Sequence, residues 1–175
     1  MRFTFAENHD TDLEGAQRVV INKMLGYAYI LTSEGYPSVF YKDYSTDPNC
    51  FGLQPHIDNL IWIHEVLATG ETLQRWKDFD VFAYERMGGV LVLNNDLAGP
   101  RSIRVDTGFG PNVALHDYSG HAADLATDGA GAVTVTVPAN VDGLGYVCYS
   151  RQGQGRALVP ASHGVKQDLD GAADR

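Results

Sequence analysis

Cysteine is scarce in this sequence of 175 residues, which carries only Cys50 and Cys148. Two thiols cannot build a disulfide framework or a four-cysteine metal site. Positive charge is also short: 13 Lys and Arg stand against 22 Asp and Glu, for a net charge of −9. A general nucleic-acid binder needs a basic stripe to displace counterions, so no nucleic-acid partner is expected. No apolar run approaches the roughly 20 residues that cross a bilayer, and no membrane partner is expected either. Charged residues make up 20%, against 44% apolar and 10% aromatic. That is enough apolar surface for a packed core and unlike a disordered chain. A leader is missing too: Met1-Arg2 runs straight into Phe3-Thr4-Phe5-Ala6, with no apolar leader region or cleavage site. Such an opening is expected of a sequence that starts inside a larger fold.

What is present divides into two regions. Residues 1–79 hold 12 of the 18 aromatic residues. Phe3 to Ala6 has no polar alternation and predicts a short buried strand. Asp12, Glu14 and Gln17 lead into a helix in which Val20, Met24, Tyr27, Ala28 and Leu31 recur at helical spacing, stopping at Gly35. Val39-Phe40-Tyr41 predicts a second strand. Ile57, Leu60, Ile61, His64 and Leu67 mark a helix over 55–69 that ends at Gly70. The order strand, helix, strand, helix implies parallel strands with crossover helices. Residues 80–152 change period. Val81 to Glu85 and Val90 to Leu93 flank Gly88-Gly89 as a hairpin. Ser102–Val105, Val113–His116, Val133–Val137 and Tyr146–Tyr149 add short strands, separated by turns such as Asp128-Gly129 and Asp142-Gly143. Val133, Val135 and Val137 alternate with Thr134 and Thr136, so one face is expected buried and the other wet. These strands predict a small antiparallel sandwich. Residues 153–175, rich in Gly, Gln, Ala and Asp, read as a disordered tail or linker.

The stretch Phe5-Ala6-Glu7-Asn8-His9-Asp10-Thr11 ends a strand in polar side chains. In βα architectures, active sites gather at the C-terminal ends of parallel strands, so His9 and Asp10 are candidates for a site. The alternative role for Asp10 is to cap the next helix. Lys42 and Asp43 follow the second strand at the same mouth, where Lys42 could reach substrate or sit as a solvated loop lysine. Tyr36, Phe40, Tyr41 and Tyr44 could stack on sugars, but core packing explains most of that group. His56 and His64 share a helix face without a third ligand, and ordinary helix roles are expected. His116, Asp117 and His121 sit at a strand end, where turn hydrogen bonding competes with a ligand role.

Three groups of residues carry a resemblance. Phe5-Ala6-Glu7-Asn8-His9-Asp10 resembles the motif ending the seventh barrel strand of α-amylases, the retaining glycoside hydrolases acting on starch. Asn22 to Ala28 and Gly35 to Tyr41 are similar to that family's seventh helix and eighth strand. Asp80 to Arg86, Leu115 to His121 and Gly143 to Ser150 resemble the C-terminal β-sandwich domain of its bacterial members. The resemblance spans about residues 2–151.

It implies α/β plus all-β architecture: the last two βα units of an incomplete TIM barrel, followed by the sandwich. By resemblance, Asp10 is the transition-state stabiliser and His9 contacts the same sugar of a starch or α-glucan substrate. A carboxylate suits that role, because hydrogen bonds to ring hydroxyls strengthen as positive charge develops. A retaining glycosidase also needs a nucleophile and an acid/base carboxyl about 5–5.5 Å apart. The family supplies them from earlier strands, and nothing here matches them. The chain is therefore expected to be a fragment that is inactive alone, lacking its N-terminal barrel segment, and to expose strand edges that favour aggregation. The alternative is a non-catalytic β-sandwich module with a structural or glucan-binding role. Calcium belongs to the intact family member, mostly outside this segment, and no metal ligand is assigned here. Extracellular localisation follows from the family's common secretion.

Overall fold

A computed structural model describes residues 3–13, 18–87 and 89–155. The tail beyond 155, Glu14, Gln17 and Gly88 lie outside the described residues. Strand β1 (Phe3–Phe5) pairs in parallel with β2 (Tyr36–Ser38), with Phe3 opposite Tyr36 and Phe5 opposite Ser38. Between them run a short helix α1 (His9–Leu13) and the crossover helix α2 (Lys23–Thr32). A turn of helix, α3 (Tyr41–Tyr44), and the longer α4 (Gln54–Val66) follow.

Three expectations need correction here. Phe3 and Phe5 are 68% and 51% exposed, so β1 is not buried within this chain. The helix expected to carry Val20 is interrupted: α2 begins only at Lys23, after Asn22 adopts a left-handed φ of 58°. That conformation cannot continue a right-handed helix. The second strand lies three residues earlier than expected, on Tyr36–Ser38. Pro37 fits there because neither strand of a two-stranded ladder needs every N–H, and the chain after Phe40 winds into α3.

The helical stripe otherwise forms as its spacing requires. Met24, Tyr27, Ala28 and Leu31 are fully or nearly buried, as are Ile57, Leu60, Ile63 and Leu67, whereas Ile61, expected on the same face, is exposed. Pro55 occupies the first turn of α4, where its missing N–H has no partner to lose.

Among the described residues the β region has eight strands: β3 (Thr72–Lys77), β4 (Val81–Arg86), β5 (Val90–Asn95), β6 (Arg101–Asp106), β7 (Ala114–Asp117), β8 (Leu125–Ala126), β9 (Ala132–Val137) and β10 (Tyr146–Arg151). Six form one antiparallel sheet in the order β3-β4-β5-β10-β7-β8, and β6 pairs with β9. β3 was not expected, and it places the first strand of this sheet ahead of the boundary at 79/80.

The central strands β4, β5 and β10 of the large sheet are buried on both faces. On one, Val90 and Val92 of β5, Tyr84 of β4 and Tyr146 and Cys148 of β10 pack with α2 and α4. On the other, Leu91, Leu93, Val81, Ala83, Val147 and Tyr149 meet Ile103, Val105, Val133, Val135 and Val137 of the β6–β9 pair. Alternate residues of a strand face opposite sides, so a run such as Val90 to Leu93 serves two cores. In β9 the expected alternation holds: the valines are buried and Thr134 and Thr136 exposed. Arg86 fastens sheet to helix, donating to the Thr32 carbonyl at the end of α2 (2.9 Å) and twice to Gly70 O (3.0 and 2.7 Å).

Candidate active-site rim

Beyond β1 the chain turns Glu7 inward and His9 and Asp10 outward. Glu7 is buried, and its Oε1 accepts the Val19 N–H at 2.9 Å. Its other oxygen pairs with the buried Lys23 ammonium. Lys23 Nζ also lies 2.9 Å from Asp43 Oδ1 and 4.2 Å from the centre of the Phe51 ring. Asp43 Oδ2 accepts the Tyr27 hydroxyl at 2.6 Å, and Tyr27 Oη in turn accepts the Phe40 N–H at 3.3 Å. One cation thus joins the end of β1, the first turn of α2 and the segment after β2. Burial pushes the Asp43 carboxyl above the usual carboxylate range, against the opposing pull of Lys23 and Tyr27. Burial, reinforced by the Asp43 charge, raises the Tyr27 phenol and keeps it a donor.

Sequence reading missed this network. Its signal was Lys23, one helical turn from Tyr27 on the apolar face of α2, since a buried ammonium requires an anionic partner.

Helix α1 is capped by Asn8, not by Asp10. Asn8 Oδ1 accepts the N–H groups of Asp10 (2.9 Å) and Thr11 (3.1 Å), and Thr11 Oγ1 accepts the Asn8 N–H at 3.0 Å. His9 and Asp10 occupy the first turn of α1 with side chains 79% and 78% exposed, and His9 Nε2 stands 3.2 Å from Asp10 Oδ1. The two predicted residues are thus brought together at the end of a parallel strand, facing solvent.

Lys42 faces the same mouth but is not solvated: its Nζ holds Asp12 at 2.9 and 3.1 Å, and Arg18 Nε lies 3.6 Å from the same carboxylate. Tyr36 and Tyr41 are exposed, so core packing within this chain does not account for them. Tyr44 donates to Asp58 at 2.8 Å.

The remaining candidates have structural partners. The buried Asp117 carboxylate accepts from the backbone N–H of Ser119, His121, Ala122 and Cys148 and from Ser119 Oγ. His121 Nδ1 is 2.8 Å from Tyr146 O, His116 Nδ1 is 2.6 Å from Asp124 Oδ1, and His64 Nδ1 is 2.9 Å from Leu31 O. Cys50 and Cys148 are buried free thiols, and burial raises the Cys148 thiol pKa. Among the described residues no three His, Cys, Asp or Glu side chains gather as metal ligands. Of the acids at the rim, Glu7 and Asp43 are committed to Lys23 and Asp12 to Lys42, and the one carboxylate left, Asp10, does not fit a calcium site by itself.

Comparisons with known proteins point one way. No protein-family model matches the chain. It is 34% identical over 150 residues to an α-amylase of Geobacillus stearothermophilus, a match covering 81% of this chain and 26% of that protein. It is 32% identical over 148 residues to a glucan 1,4-alpha-maltohexaosidase of Bacillus sp. strain 707, covering 81% of this chain and 28% of the relative. Its fold superposes on an α-amylase from Malbranchea cinnamomea with a TM-score of 0.63 at 20% identity, over 87% of this chain and 38% of the other. The chain spans about a quarter of the length of the curated relatives it matches. On this sequence similarity and fold, the chain belongs to the α-amylase family of glycoside hydrolases and corresponds to a portion of its bacterial members.

Proposed function

We propose that the chain is the C-terminal portion of a retaining α-glucan hydrolase acting on the α-1,4-glucosidic bonds of starch. In this reading β1, α2, β2 and α4 are the last two βα units of a (β/α)8 barrel, and the strands from β3 onward form the C-terminal sandwich. Asp10 stabilises the oxocarbenium-like transition state and His9 contacts the same sugar. The nucleophile and the acid/base carboxyl, about 5–5.5 Å apart in such enzymes, come from the barrel segment this chain does not contain. The protein acts outside the cell, as the family commonly does, and any calcium is held by that other segment.

The observation that carries this reading is a solvent-facing carboxylate at the end of a parallel strand, 3.2 Å from the His9 ring. Asn8 takes the capping role, and the buried Glu7–Lys23–Asp43 group anchors the turn from beneath. Asp10 is thereby left to face a ligand. Its charge would be aimed where positive charge develops, the arrangement that gives electrostatic catalysis its effect.

The test is a hybrid enzyme in which residues 3–151 replace the matching segment of the Geobacillus stearothermophilus α-amylase. The hybrid is expected to hydrolyse starch, and Asp10→Asn to lower kcat by about 10²–10³. The chain alone is expected to release no sugar. An unchanged kcat in the Asp10→Asn hybrid, or turnover by the isolated chain, overturns the proposal.

A further inference from the structure

Helix α1 carries Asp10, yet little within α1 holds it in place. Its five residues, His9–Leu13, fall well short of the roughly 12–15 at which an isolated helix becomes stable in water. The strand that leads into it, β1, is tied to β2 by three residue pairs. Asn8 caps the first turn, but a cap fixes where a helix starts and leaves its direction free.

A second tether comes from α3. Lys42 Nζ meets both carboxylate oxygens of Asp12, at 2.9 and 3.1 Å. The two side chains are 14% and 13% exposed, and a pair this far from open solvent is screened less than one on the surface. Arg18 Nε stands 3.6 Å from the same carboxylate, with its guanidinium 5.7 Å from the centre of the Phe51 ring. Among the described residues no other side-chain hydrogen bond or ion pair joins α1 to the segment after β2.

The two ends of this bond are unequal. Lys42 has a firm base: its carbonyl accepts the Phe51 N–H at 2.8 Å, and Asp43 O accepts the Leu53 N–H at 2.9 Å. Phe51 and Leu53 belong to the buried core shared by α2 and α4. The Asp43 side chain is held in turn by Lys23 and Tyr27. Consecutive residues of α3 thus grip different elements, Asp43 the helix α2 and Lys42 the helix α1. The end rooted in the core can impose a direction on the short helix, and the short helix cannot impose one on the core. Asp10, two residues before Asp12, is carried with it.

We propose that Lys42 is a positioning residue: through Asp12 it sets the direction of α1 and so holds the Asp10 carboxylate in its working place. The catalytic consequence rests on the function proposed above. Two measurements test it. In nuclear-spin relaxation of the backbone amides of the 175-residue chain, α1 is expected to be ordered, with order parameters near ~0.85. Lys42→Met should lower those of Asp10 and Asp12 below ~0.6 and leave β5 unchanged. Lys42→Arg should keep them high, since a guanidinium also pairs with both carboxylate oxygens. In the hybrid enzyme, Lys42→Met should lower kcat about 10- to 100-fold and move KM by less than about twofold, because a misaimed carboxylate costs most where charge develops. Lys42→Arg should recover most of that kcat. If Lys42→Met does not fold, Asp12→Asn breaks the same pair from the other end at unchanged size. Unaltered order in α1 once the pair is broken, or a wild-type kcat in the Lys42→Met hybrid, overturns the proposal. A hybrid that is silent with every residue in place overturns the hydrolase reading instead, and the order parameters of the chain still decide whether Lys42 holds α1.

Discussion

Lys23 is the residue on which the rim depends most. Removing it leaves Glu7 and Asp43 buried without their shared cation, and breaking a buried pair in this way costs about 3–5 kcal/mol. Lys23→Met should therefore lower the urea midpoint sharply. Adding Glu7→Gln and Asp43→Asn to Lys23→Met should recover much of the loss, since the uncompensated charges are then gone. A Lys23→Met chain as stable as the wild type would mean that the network carries little. The place of His9 and Asp10 just past a strand end was legible in the sequence, because polar residues follow the apolar run Phe3 to Ala6. Glu7, Lys23 and Asp43 were not, since their meeting depends on how β1, α2 and the segment after β2 pack, which no local pattern records. The capping question was likewise local in form but was decided by geometry: Asn8 and Asp10 are both good caps by type, and only Asn8 stands where the α1 N–H groups point.

Among the elements, the β6–β9 pair shows how surface charge supports a two-stranded ladder. Arg104 of β6 reaches Asp128, just ahead of β9, and the same carboxylate accepts the N–H groups of Ala130 and Ala132 at 2.9 and 3.0 Å. The Arg104 bond, then the two backbone donors, lower the Asp128 pKa from its ordinary 3.8 to about 2. A carboxyl with a depressed folded-state pKa contributes stability above its unfolded pKa and loses it as pH falls through the folded value. The stability advantage of the wild type over Asp128→Asn should therefore be full above about pH 4 and fade towards about pH 2, as read by thermal melts across that window. An advantage that is independent of pH would rule out this carboxylate as its source. At this scale the sequence was legible where the period was clean, as in Val133 to Val137 and in the Met24, Tyr27, Ala28, Leu31 stripe. It misled at Val39 to Tyr41, an apolar run too short to tell strand from helix, and at β3, whose exposed edge carries Gln74, Arg75 and Lys77 and shows no apolar face.

Across the whole molecule, cohesion runs through the six-stranded sheet. The α2 and α4 helices bury their stripes against Tyr84, Val90, Val92, Tyr118, Tyr146 and Cys148, so they share a core with the sheet rather than forming a separate one. The β1–β2 ladder stands apart from this: three residue pairs, with Phe3, Phe5 and Tyr36 exposed. Free energies of local opening follow buried contacts, so the two parts should separate in native-state hydrogen exchange. Amides of β5, β10 and α4 are expected to exchange only on global unfolding, whereas those of β1 and β2 open at a small fraction of that free energy. In the hybrid enzyme, where on the proposed reading barrel strands would flank β1 and β2, their protection should rise towards that of β5. If β1 and β2 are already as protected in the isolated chain as β5, their exposed phenylalanines are not edges awaiting neighbours. The aggregation expected from the sequence would then lose its physical basis.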